Sequence, residues 1–368
     1  MSTEIIRSQA PTRIDLAGGT LDIWPLYLLL KQPTTVNLAI DLYAEATIEW
    51  SAKASGAGSV TLESVDQKAL IDFHWNELPS IAPPGSLELH TKLLRFFCDR
   101  LESTFLPTGP AFDLKLTTRA GSPAGAGLGG SSTLSVAIIG ALNEWAQRMG
   151  LDHSKNLTSE EMIKIVSDIE SRVIQVPAGL QDYYGAMYGG LQSLRWKVGS
   201  HDHVSLPEEI LTGLEKRILL FYSGQSRNSG INNWTLFKNF IDRQEDVRLK
   251  FDKIAEATRN LEAAFQQRDW TAIGSAIHQE WEVRKTLAPG ISTPEIEKAF
   301  AVAQSISPVA GKVCGAGGGG CFFLYLPVDD PDAHLSEFSA IVEALQTMGI
   351  RHLPFHCTKK GLEVSRDH

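Results

Sequence analysis

The sequence predicts an α+β fold of two domains. With 368 residues, the chain is long enough for two domains of ordinary size. Its first half alternates β-rich stretches with amphipathic stretches of helical period, which indicates mixed secondary structure. A strand is expected at 191–195, and the polar stretch 201–209 after it is expected to be a loop. The boundary is therefore predicted near residue 195, which divides the chain into domains 1–195 and 196–368.

Composition and charge exclude several classes of protein. An apolar content of 43% and a charged content of 21% fit a packed globular protein. A net charge of −9 gives no electrostatic support for a nucleic-acid partner. No apolar run is long enough to span a membrane, and no signal peptide is recognised. The four cysteines have neither C-x-x-C nor zinc spacing, so reduced thiols and a cytoplasmic location are expected, with the oligomeric state open.

A glycine-rich stretch carries the strongest functional signal. Four glycines fall within residues 125–130, between a predicted strand at 112–118 and a predicted helix at 134–145. Glycine allows positive φ and lets a ligand approach the backbone closely. A helix start adds unpaired N–H groups and the positive end of the helix dipole. The stretch therefore predicts a cradle for a nucleotide phosphate, with Ser131 and Ser132 as candidate helix caps or metal ligands.

Other interpretations of this stretch stay open on the residues alone. A flexible loop followed by an ordinary serine cap explains the glycines about equally well. The lysine-bearing phosphate loop does not fit, because no Gly-Lys-Ser/Thr follows. The order Gly-x-Gly-x-x-Gly at 125–130 satisfies the dinucleotide fingerprint, but no β-α-β run with a ribose-binding acid at the right distance is evident.

The run Pro-x-x-x-Gly-Leu-Gly-x-Ser-Ser at 123–132 resembles the phosphate loop of the GHMP kinases, and blocks at 10–22 and 315–321 fit the same family in the same order. The resemblance implies a ribosomal-S5-like N-terminal domain, a ferredoxin-like C-terminal domain, and a site for ATP and Mg²⁺ between them. Many members read Gly-Leu-Gly-Ser-Ser, whereas Gly130 replaces the first serine here, and Ser131 is the favoured metal ligand. Nucleotide binding is implied for Pro123, Gly125, Ala126, Gly127, Leu128, Gly129, Gly130, Ser131 and Ser132.

The first block resembles the acceptor-binding segment of galactokinase-like members. The matching residues are Pro11, Arg13, Leu16, Gly18 and Asp22. The resemblance implies that Asp22 binds substrate hydroxyl groups together with Gly18 and Gly19, and that Arg13 lies near the transferred phosphoryl group. On the residues alone, Arg13 and Asp22 fit a surface ion pair of little energetic value. Thr20 stands where galactokinases commonly carry His, which disfavours galactose as the acceptor.

A second segment, 179–185, closely resembles the Gln-Asp segment of GHMP sugar kinases, whose Asp is the proposed catalytic base. Asp182 takes that position here. Glu170 precedes it by twelve residues, as a Mg²⁺-binding Glu does in the family. One carboxylate holds the cation that neutralises the phosphates, and the other accepts the proton of the attacking hydroxyl. A solvated helix face is the alternative interpretation of Glu170.

Glycines recur in the third block, between two β-like runs. Four consecutive glycines at 317–320 exceed what a tight hairpin needs, so close approach to substrate or to the phosphate loop is expected, with Gly317 and Gly318 as substrate-binding candidates. Arg227 is a further candidate, because a loop arginine can clamp a phosphate.

The segment 278–294 resembles the heptose 7-phosphate kinase and fucokinase branch. Its Arg284 and Lys285 are expected to be solvated, with phosphate contact as the minority alternative.

Further elements are predicted from periodicity and turn signals. A hairpin is expected from strands 34–40 and 43–50, and a helical stretch from Asp22 through Leu30. The residues Thr158 and Glu161 form a candidate capping box. Additional helices are expected at 87–101, 158–176, 232–268, 270–287 and 332–348, with a last strand at 351–357.

The resulting hypothesis is an ATP- and Mg²⁺-dependent small-molecule kinase. It transfers the γ-phosphoryl group to a hydroxyl of a sugar or sugar phosphate, with the anomeric hydroxyl favoured. Three alternatives remain: a mevalonate-type kinase, a related decarboxylase, and a catalytically inactive sugar or ATP sensor. The sensor is disfavoured because Glu170, Asp182 and Ser131 are all present.

Overall fold

The computed structural model describes residues 3–53, 56–101, 111–150, 156–224, 236–242 and 245–367, and its architecture is α+β. The strands of this part are β1 (Glu4–Ala17), β2 (Thr34–Ala52), β3 (Ser59–Ser64), β4 (Ala69–His74), β5 (Phe112–Ala120), β6 (Leu191–Lys197), β7 (Ser200–Ser205), β8 (Ile218–Tyr222), β9 (Ala310–Val313), β10 (Cys321–Tyr325), β11 (Arg351–His352) and β12 (Glu363–Asp367). The helices are α1 (Glu88–Arg100), α2 (Gly130–Arg148), α3 (Ser159–Ile174), α4 (Gln181–Tyr188), α5 (Glu208–Glu215), α6 (Glu245–Gln267), α7 (Trp270–Arg284), α8 (Pro294–Ile306) and α9 (Leu335–Thr347). None of these helices is long and apolar enough to cross a membrane.

The strands form two sheets. In the larger sheet the order is β12-β1-β2-β5-β3-β4, and β6 pairs with the first residues of β2 and also with β7. All of its pairings are antiparallel except β3 with β5. The smaller sheet has the order β11-β8-β10-β9 and is antiparallel throughout. The larger sheet thus reaches residue 205, and the domain boundary near residue 195 stays a prediction.

One long strand replaces the hairpin predicted at 34–50, so that prediction was wrong. β2 runs without a break from Thr34 to Ala52 and pairs with β1 along its length, with a register shift between Pro11 and Thr12. The polar Asp41 resembles a turn residue in the sequence. In the structure it docks the C-terminal segment instead: its N–H donates to the carbonyl oxygen of His356, and its Oδ1 accepts from the His356 N–H at 2.7 Å.

Three further local predictions were wrong. The stretch 201–209 begins as strand β7, because Ser200–Ser205 pairs with β6. The helix predicted through Leu30 is only a 3₁₀ turn at Leu26–Leu29, and the last predicted strand shrinks to β11. The capping box is confirmed, since Thr158 and Glu161 exchange side-chain and backbone hydrogen bonds at the start of α3.

Apolar packing joins the two sheets. One cluster lies between the larger sheet and helices α1 to α4 and contains the fully buried Trp145, whose ring stacks on Trp75. A second contains residues of β1 and β2 together with residues of α6, α7 and β10. A third lies between the smaller sheet and α6, α8 and α9. The ends of β1, α2, α4 and the β9–β10 connection therefore meet on one cavity.

Candidate active site

A cavity of about 440 Å³ lies where these elements meet. It is lined by segments that are far apart in sequence: residues 13–23 after and within β1, residues 122–134 around the start of α2, residues 170–182 of α3 and α4, and residues 314–319 between β9 and β10. All three glycine-containing blocks singled out in the sequence thus contribute to one cavity.

The glycine-rich stretch forms a loop that leads directly into α2. Gly125, Gly127 and Gly129 have φ angles of +67°, +78° and +74°, a conformation that glycine adopts without strain. Gly129 is the N-cap residue and no side chain caps the helix, so the prediction that Ser131 or Ser132 serves as the cap was wrong. Both serines lie in the first helical turn instead, and Ser131 is exposed to the cavity. The free N–H groups of the helix start remain available to an anion.

The third glycine block lies against this loop. A Cβ on Gly127 would lie 2.4 Å from the Cys314 carbonyl oxygen, and one on Gly320 would lie 2.7 Å from the Gly125 carbonyl oxygen. The Cys321 N–H donates to the Ala126 carbonyl oxygen at 2.7 Å. Side chains at these positions would separate the two backbones. The expectation of close approach to the phosphate loop is therefore confirmed.

Arg13 and Asp182 form an ion pair in the lining of the cavity. The Arg13 Nε and Nη2 atoms lie 2.8 and 2.6 Å from Asp182 Oδ1, and Nη1 donates to the Gly127 carbonyl oxygen at 2.8 Å. Burial lowers the pKa of Arg13, but the neighbouring carboxylates of Asp182 and Asp15 outweigh this effect, so the pKa of Arg13 is raised. Burial raises the pKa of Asp182, and Arg13 offsets this only in part. The arrangement holds a basic carboxylate beside a fixed positive charge.

Glu170 lies on α3 beside the start of α2 and is buried, so it does not occupy the solvated helix face that was its alternative. Its Oε2 accepts from the Tyr183 hydroxyl at 2.6 Å and from the Ser135 hydroxyl at 3.4 Å. Burial raises the pKa of Glu170, while hydrogen bonds from Tyr183, Ser131 and Ser132 act in the opposite direction. The carboxylate thus lies within reach of Ser131 and Ser132 in the first turn of α2.

Asp22 is buried in the lining of the same cavity. Its Oδ2 accepts from the Gln181 N–H at 2.9 Å, which ties it to the residue before Asp182. A Cβ on Gly179 would lie 2.6 Å from the same oxygen. Burial raises the pKa of Asp22 to about 6, with Asp182 and Asp15 adding to the effect and the backbone hydrogen bond opposing it.

A network of buried charges beneath the first block was not anticipated from the sequence. Lys312 Nζ lies 2.8 Å from Glu280 Oε1 and 3.2 Å from Asp15 Oδ2. Arg284 Nε lies 2.8 Å from the same Glu280 oxygen. Arg284 has only 2% of its surface exposed, so the expectation that it is solvated was wrong. The i,i+4 spacing of Glu280 and Arg284 on α7 was the available sequence signal. Lys285 pairs with Glu282 at the surface.

The remaining predicted site residues differ in their positions. Gly19, Gly317 and Pro123 line the cavity, as do Ala126 and Gly130. Gly18, Leu128 and Gly318 lie outside the lining. The Gly18 N–H donates to Glu280 Oε1, and the Gly318 N–H donates to the Ile291 carbonyl oxygen. Arg227 lies outside the described residues.

One end of the cavity is formed by residues that no sequence signal identified. They come from the β3–β4 turn, the start of α1 and the end of β5, and they are Ser64, Asp66, Gln67, Ser86, His90 and Ser122. His90 is buried, its Nε2 lies 2.8 Å from the Thr118 hydroxyl, and burial lowers its pKa to about 4. This end therefore combines a neutral histidine with the Asp66 carboxylate and uncharged polar side chains.

Two parts of the chain match models of a known protein family. Residues 88–190 match the profile "GHMP kinases N terminal domain", and residues 261–349 match "GHMP kinases C terminal". The fold and the loop-to-helix cradle define a small-molecule kinase. The chain belongs to the GHMP kinase family, which confirms the resemblance and the predicted fold class.

The individual relatives have low sequence identity to this chain but align with nearly all of its length. A D-glycero-alpha-D-manno-heptose 7-phosphate kinase of Campylobacter jejuni is 25% identical over 98% of this chain and 99% of its own length. An L-fucokinase/L-fucose-1-P guanylyltransferase of Bacteroides fragilis is 27% identical over 99% of this chain, which spans only 39% of that protein. The crystal structure of a D-glycero-D-manno-heptose 1-phosphate kinase from Bacteroides thetaiotaomicron shares the fold, with a TM-score of 0.71 at 22% identity and 99% coverage of both chains. Mevalonate kinases match less strongly.

The residues at the cavity also fit a magnesium ion bound through nucleotide phosphates. Among the described residues, no group of three or more His, Cys, Asp or Glu side chains could hold a metal ion alone. Mg²⁺ in kinases is held by one or two protein ligands together with substrate phosphates. The buried carboxylate of Glu170 beside the exposed Ser131 hydroxyl, at the start of α2, meets that requirement.

Proposed function

We propose that this protein is a kinase that transfers the γ-phosphoryl group of ATP, with Mg²⁺, to a hydroxyl of a sugar or sugar phosphate, and that the anomeric hydroxyl is the acceptor. The observation that carries the proposal is the Asp182–Arg13 pair, which adjoins the N-terminus of α2 on one side and Asp22 on the other. A base, a positive charge, a phosphate cradle and a hydroxyl-binding carboxylate are the parts that phosphoryl transfer requires.

Donor binding is assigned to the loop 123–132. The loop glycines and the N–H groups at the start of α2, which no side chain caps, hold the phosphates. Ser131 and Glu170 would hold Mg²⁺, which neutralises phosphate charge when bound. The end of the cavity near His90 and Asp66 is left for the nucleoside.

Acceptor binding is assigned to the first block. Asp22 accepts hydrogen bonds from substrate hydroxyl groups, and the backbone at Gly19 and Gly317 lines the same cavity. A buried carboxylate that is already bonded on one oxygen can fix a hydroxyl with the other. The printed names of the heptose phosphate kinases and the fucokinase support a sugar over another alcohol.

Asp182 is assigned the role of base. Its contacts with Arg13 go to Oδ1, and Oδ2, which has no arginine contact, is assigned to the acceptor hydroxyl. Because burial raises its pKa, the carboxylate is a better proton acceptor than an exposed aspartate. Arg13 also places a positive charge beside the loop that holds the phosphates, where charge redistributes in the transition state.

We also propose that the protein is located in the cytoplasm. All four cysteines are free, which supports the reducing cytoplasm expected from the sequence.

A substrate panel tests the proposal. Purified protein with ATP and Mg²⁺ is assayed for ADP release over aldoses, fucose, heptoses and their phosphates, with mevalonate as the non-sugar alcohol, and the product is identified by ³¹P NMR. We expect release only with a sugar or sugar phosphate and a phosphate signal at the anomeric carbon. Turnover with mevalonate alone, CO₂ release, or ATP binding without any turnover would each contradict it.

A further inference from the structure

A strained residue, Thr20, lies between Gly19 and Asp22 in the proposed acceptor-binding block. Thr20 lines the cavity and has φ of +76°. It is the one β-branched residue with positive φ in the part of the chain that the structure describes. A β-branched side chain is disfavoured in this region because its Cβ crowds the backbone. Such a conformation persists only where the surroundings hold it, and it occurs preferentially at functional sites.

The Arg284 side chain contacts Thr20 and the residue before it. Its Nη2 donates to the Gly19 carbonyl oxygen, and its Nη1 lies 3.4 Å from the Thr20 hydroxyl oxygen. The planar guanidinium thus contacts two consecutive residues of the turn at once, which an ammonium group cannot reproduce. A Cβ on Gly19 would lie 2.3 Å from Asp15 Oδ2 and 3.1 Å from Arg284 Nη2, so the turn is packed directly on the charges.

Arg284 is fixed in turn by the buried network. Glu280 Oε1 accepts from Arg284 Nε, from Lys312 Nζ and from the Gly18 N–H at 3.2 Å. The pKa of Asp15 would be raised by burial, but the positive charges of Lys312, Arg284 and Arg13 lower it. Among the side chains in direct contact, two carboxylates, Asp15 and Glu280, face two cations, Lys312 and Arg284. The charges of α7 and β9 therefore determine where the turn of the first block lies.

The Thr20 hydroxyl keeps a proton to donate. An arginine only donates hydrogen bonds, so the Thr20 oxygen is the acceptor in its contact with Arg284. No acceptor for the Thr20 hydroxyl proton is found among residues 3–53, 56–101, 111–150, 156–224, 236–242 and 245–367. Asp22, two residues later in the chain, has a carboxylate, which only accepts hydrogen bonds. Thr20 and Asp22 together would thus offer one donor and one acceptor to neighbouring groups of a bound molecule.

We propose that Thr20 is a specificity-determining residue that donates a hydrogen bond to the acceptor, and that Arg284, supported by Glu280, Lys312 and Asp15, is the positioning residue that holds it in its strained conformation. The first part rests on the proposed function, because it takes the acceptor to bind beside Asp22. The second part concerns the turn alone and does not depend on any substrate.

Three substitutions of Thr20 separate the hydroxyl from the strain. Thr20→Ser keeps the hydroxyl, Thr20→Ala removes it, and Thr20→Gly removes both the hydroxyl and the Cβ that is strained at positive φ. For Thr20→Ala we expect the acceptor KM to rise about tenfold, the upper range for one neutral hydrogen bond, with the ATP KM unchanged. Thr20→Ser is expected to stay within about twofold of the wild type in both constants, since it retains that hydrogen bond.

The matched pair of Thr20→Ala and Thr20→Gly measures the strain without any substrate. We expect a higher Tm for Thr20→Gly than for Thr20→Ala, because glycine adopts this φ freely. Arg284→Lys keeps the charge but not the fork. It is expected to raise the acceptor KM, with the ATP KM unchanged, and to reduce the Tm difference between the two Thr20 variants made in its background.

The outcomes distinguish the two parts. An acceptor KM for Thr20→Ala within twofold of the wild type would overturn the contact with the acceptor, as would equal losses in Thr20→Ser and Thr20→Ala. A Tm for Thr20→Gly at or below that of Thr20→Ala would overturn the strained turn. If the wild type phosphorylates no acceptor, the proposed function and the acceptor contact fail together, and the Tm comparison still decides the role of Arg284.

Discussion

The Arg13 side chain contacts Asp182 through two nitrogens that lie 2.8 and 2.6 Å from the same oxygen, Oδ1. Its third nitrogen binds the carbonyl oxygen of Gly127 in the phosphate loop. One side chain therefore connects the proposed base to the proposed donor site. It also leaves one Asp182 oxygen without an arginine contact. In the proposed mechanism, the oxygen without an arginine contact is the one that meets the acceptor hydroxyl.

Asp182→Asn keeps the shape of the side chain and removes its basicity. We expect kcat to fall by about 10²–10⁴, the usual contribution of a general base, while ATP affinity stays near that of the wild type. Steady-state kinetics and ATP binding measured by calorimetry check this. Asp182→Asn protein that is folded and retains about a third or more of the wild-type kcat would show that Asp182 is not the base.

Arg13→Met should move the pH profile as well as lower the rate. Arg13 favours the ionised form of Asp182, and burial opposes it, so removing the arginine raises the pKa of Asp182 further. Since the base acts when ionised, the acid limb of kcat/KM should shift to higher pH. A profile with an unchanged acid limb would mean that Arg13 does not act on the titrating group.

Asp22 is predicted to destabilise the fold at neutral pH. Its pKa is about 6 in the folded protein against 3.8 as the ordinary value, so the folded state binds more protons between these pH values and stability falls as pH rises through them. Asp22→Asn removes that loss and can still accept from Gln181. We expect a higher Tm than the wild type at pH 7.5, on the order of 1–3 kcal/mol in unfolding free energy, and a smaller difference at pH 4.

The same variant should bind the acceptor less well. Loss of a charged hydrogen-bond acceptor predicts a rise of about 10- to 100-fold in acceptor KM. Gain of stability with loss of acceptor affinity is the combination expected of a binding group that is costly to bury. An Asp22→Asn protein with lower Tm at pH 7.5 and unchanged KM would contradict both statements.

Glu170→Gln should alter the requirement for Mg²⁺. The amide preserves the size of the side chain but weakens an oxygen ligand that acts by its charge. We expect the activity to require a higher Mg²⁺ concentration. Asp168→Asn is the matched control, since Asp168 is an exposed carboxylate on the same helix and does not line this cavity. Superimposable Mg²⁺ titrations for Glu170→Gln, Asp168→Asn and wild type would exclude Glu170 as a ligand.

Gly127→Ala tests the contact between the two glycine loops. The added Cβ would lie 2.4 Å from the Cys314 carbonyl oxygen, so the loop must move and ATP affinity should fall. Gly199→Ala is the control, because Gly199 has a similar φ, +73° against +78°, and has open space around its Cβ position. If both variants lose the same stability and both bind ATP normally, the close contact does not shape the nucleotide site.

Local sequence signals identified the parts of the site that depend on backbone conformation. Glycines at 125, 127 and 129 take positive φ, as their residue type allows, and a helix follows them as predicted, although it begins at Gly130 and not at the predicted residue 134. The capping box at Thr158 is equally local. In each case the residue type and its close neighbours decide the structure.

Predictions failed where partners distant in sequence decide the structure. Asp41 ends no strand because His356 binds it, 315 residues away. Arg284 is buried because the Gly19 carbonyl, 265 residues away, accepts its hydrogen bond. Hydrophobic periodicity contains no information on such pairs, so a buried charge looks like a solvated one in the sequence.

The packing of residues 314–320 on residues 125–127 has a consequence for synthesis of the chain. A ribosome releases the phosphate loop long before it releases the segment that lies behind it, about 190 residues later in the sequence. Until then the backbone of the loop lacks the hydrogen bond that Cys321 donates to Ala126. A nascent chain that stops short of β10 should therefore contain every residue of the loop and still lack its finished shape, so that nucleotide affinity arises near the end of translation.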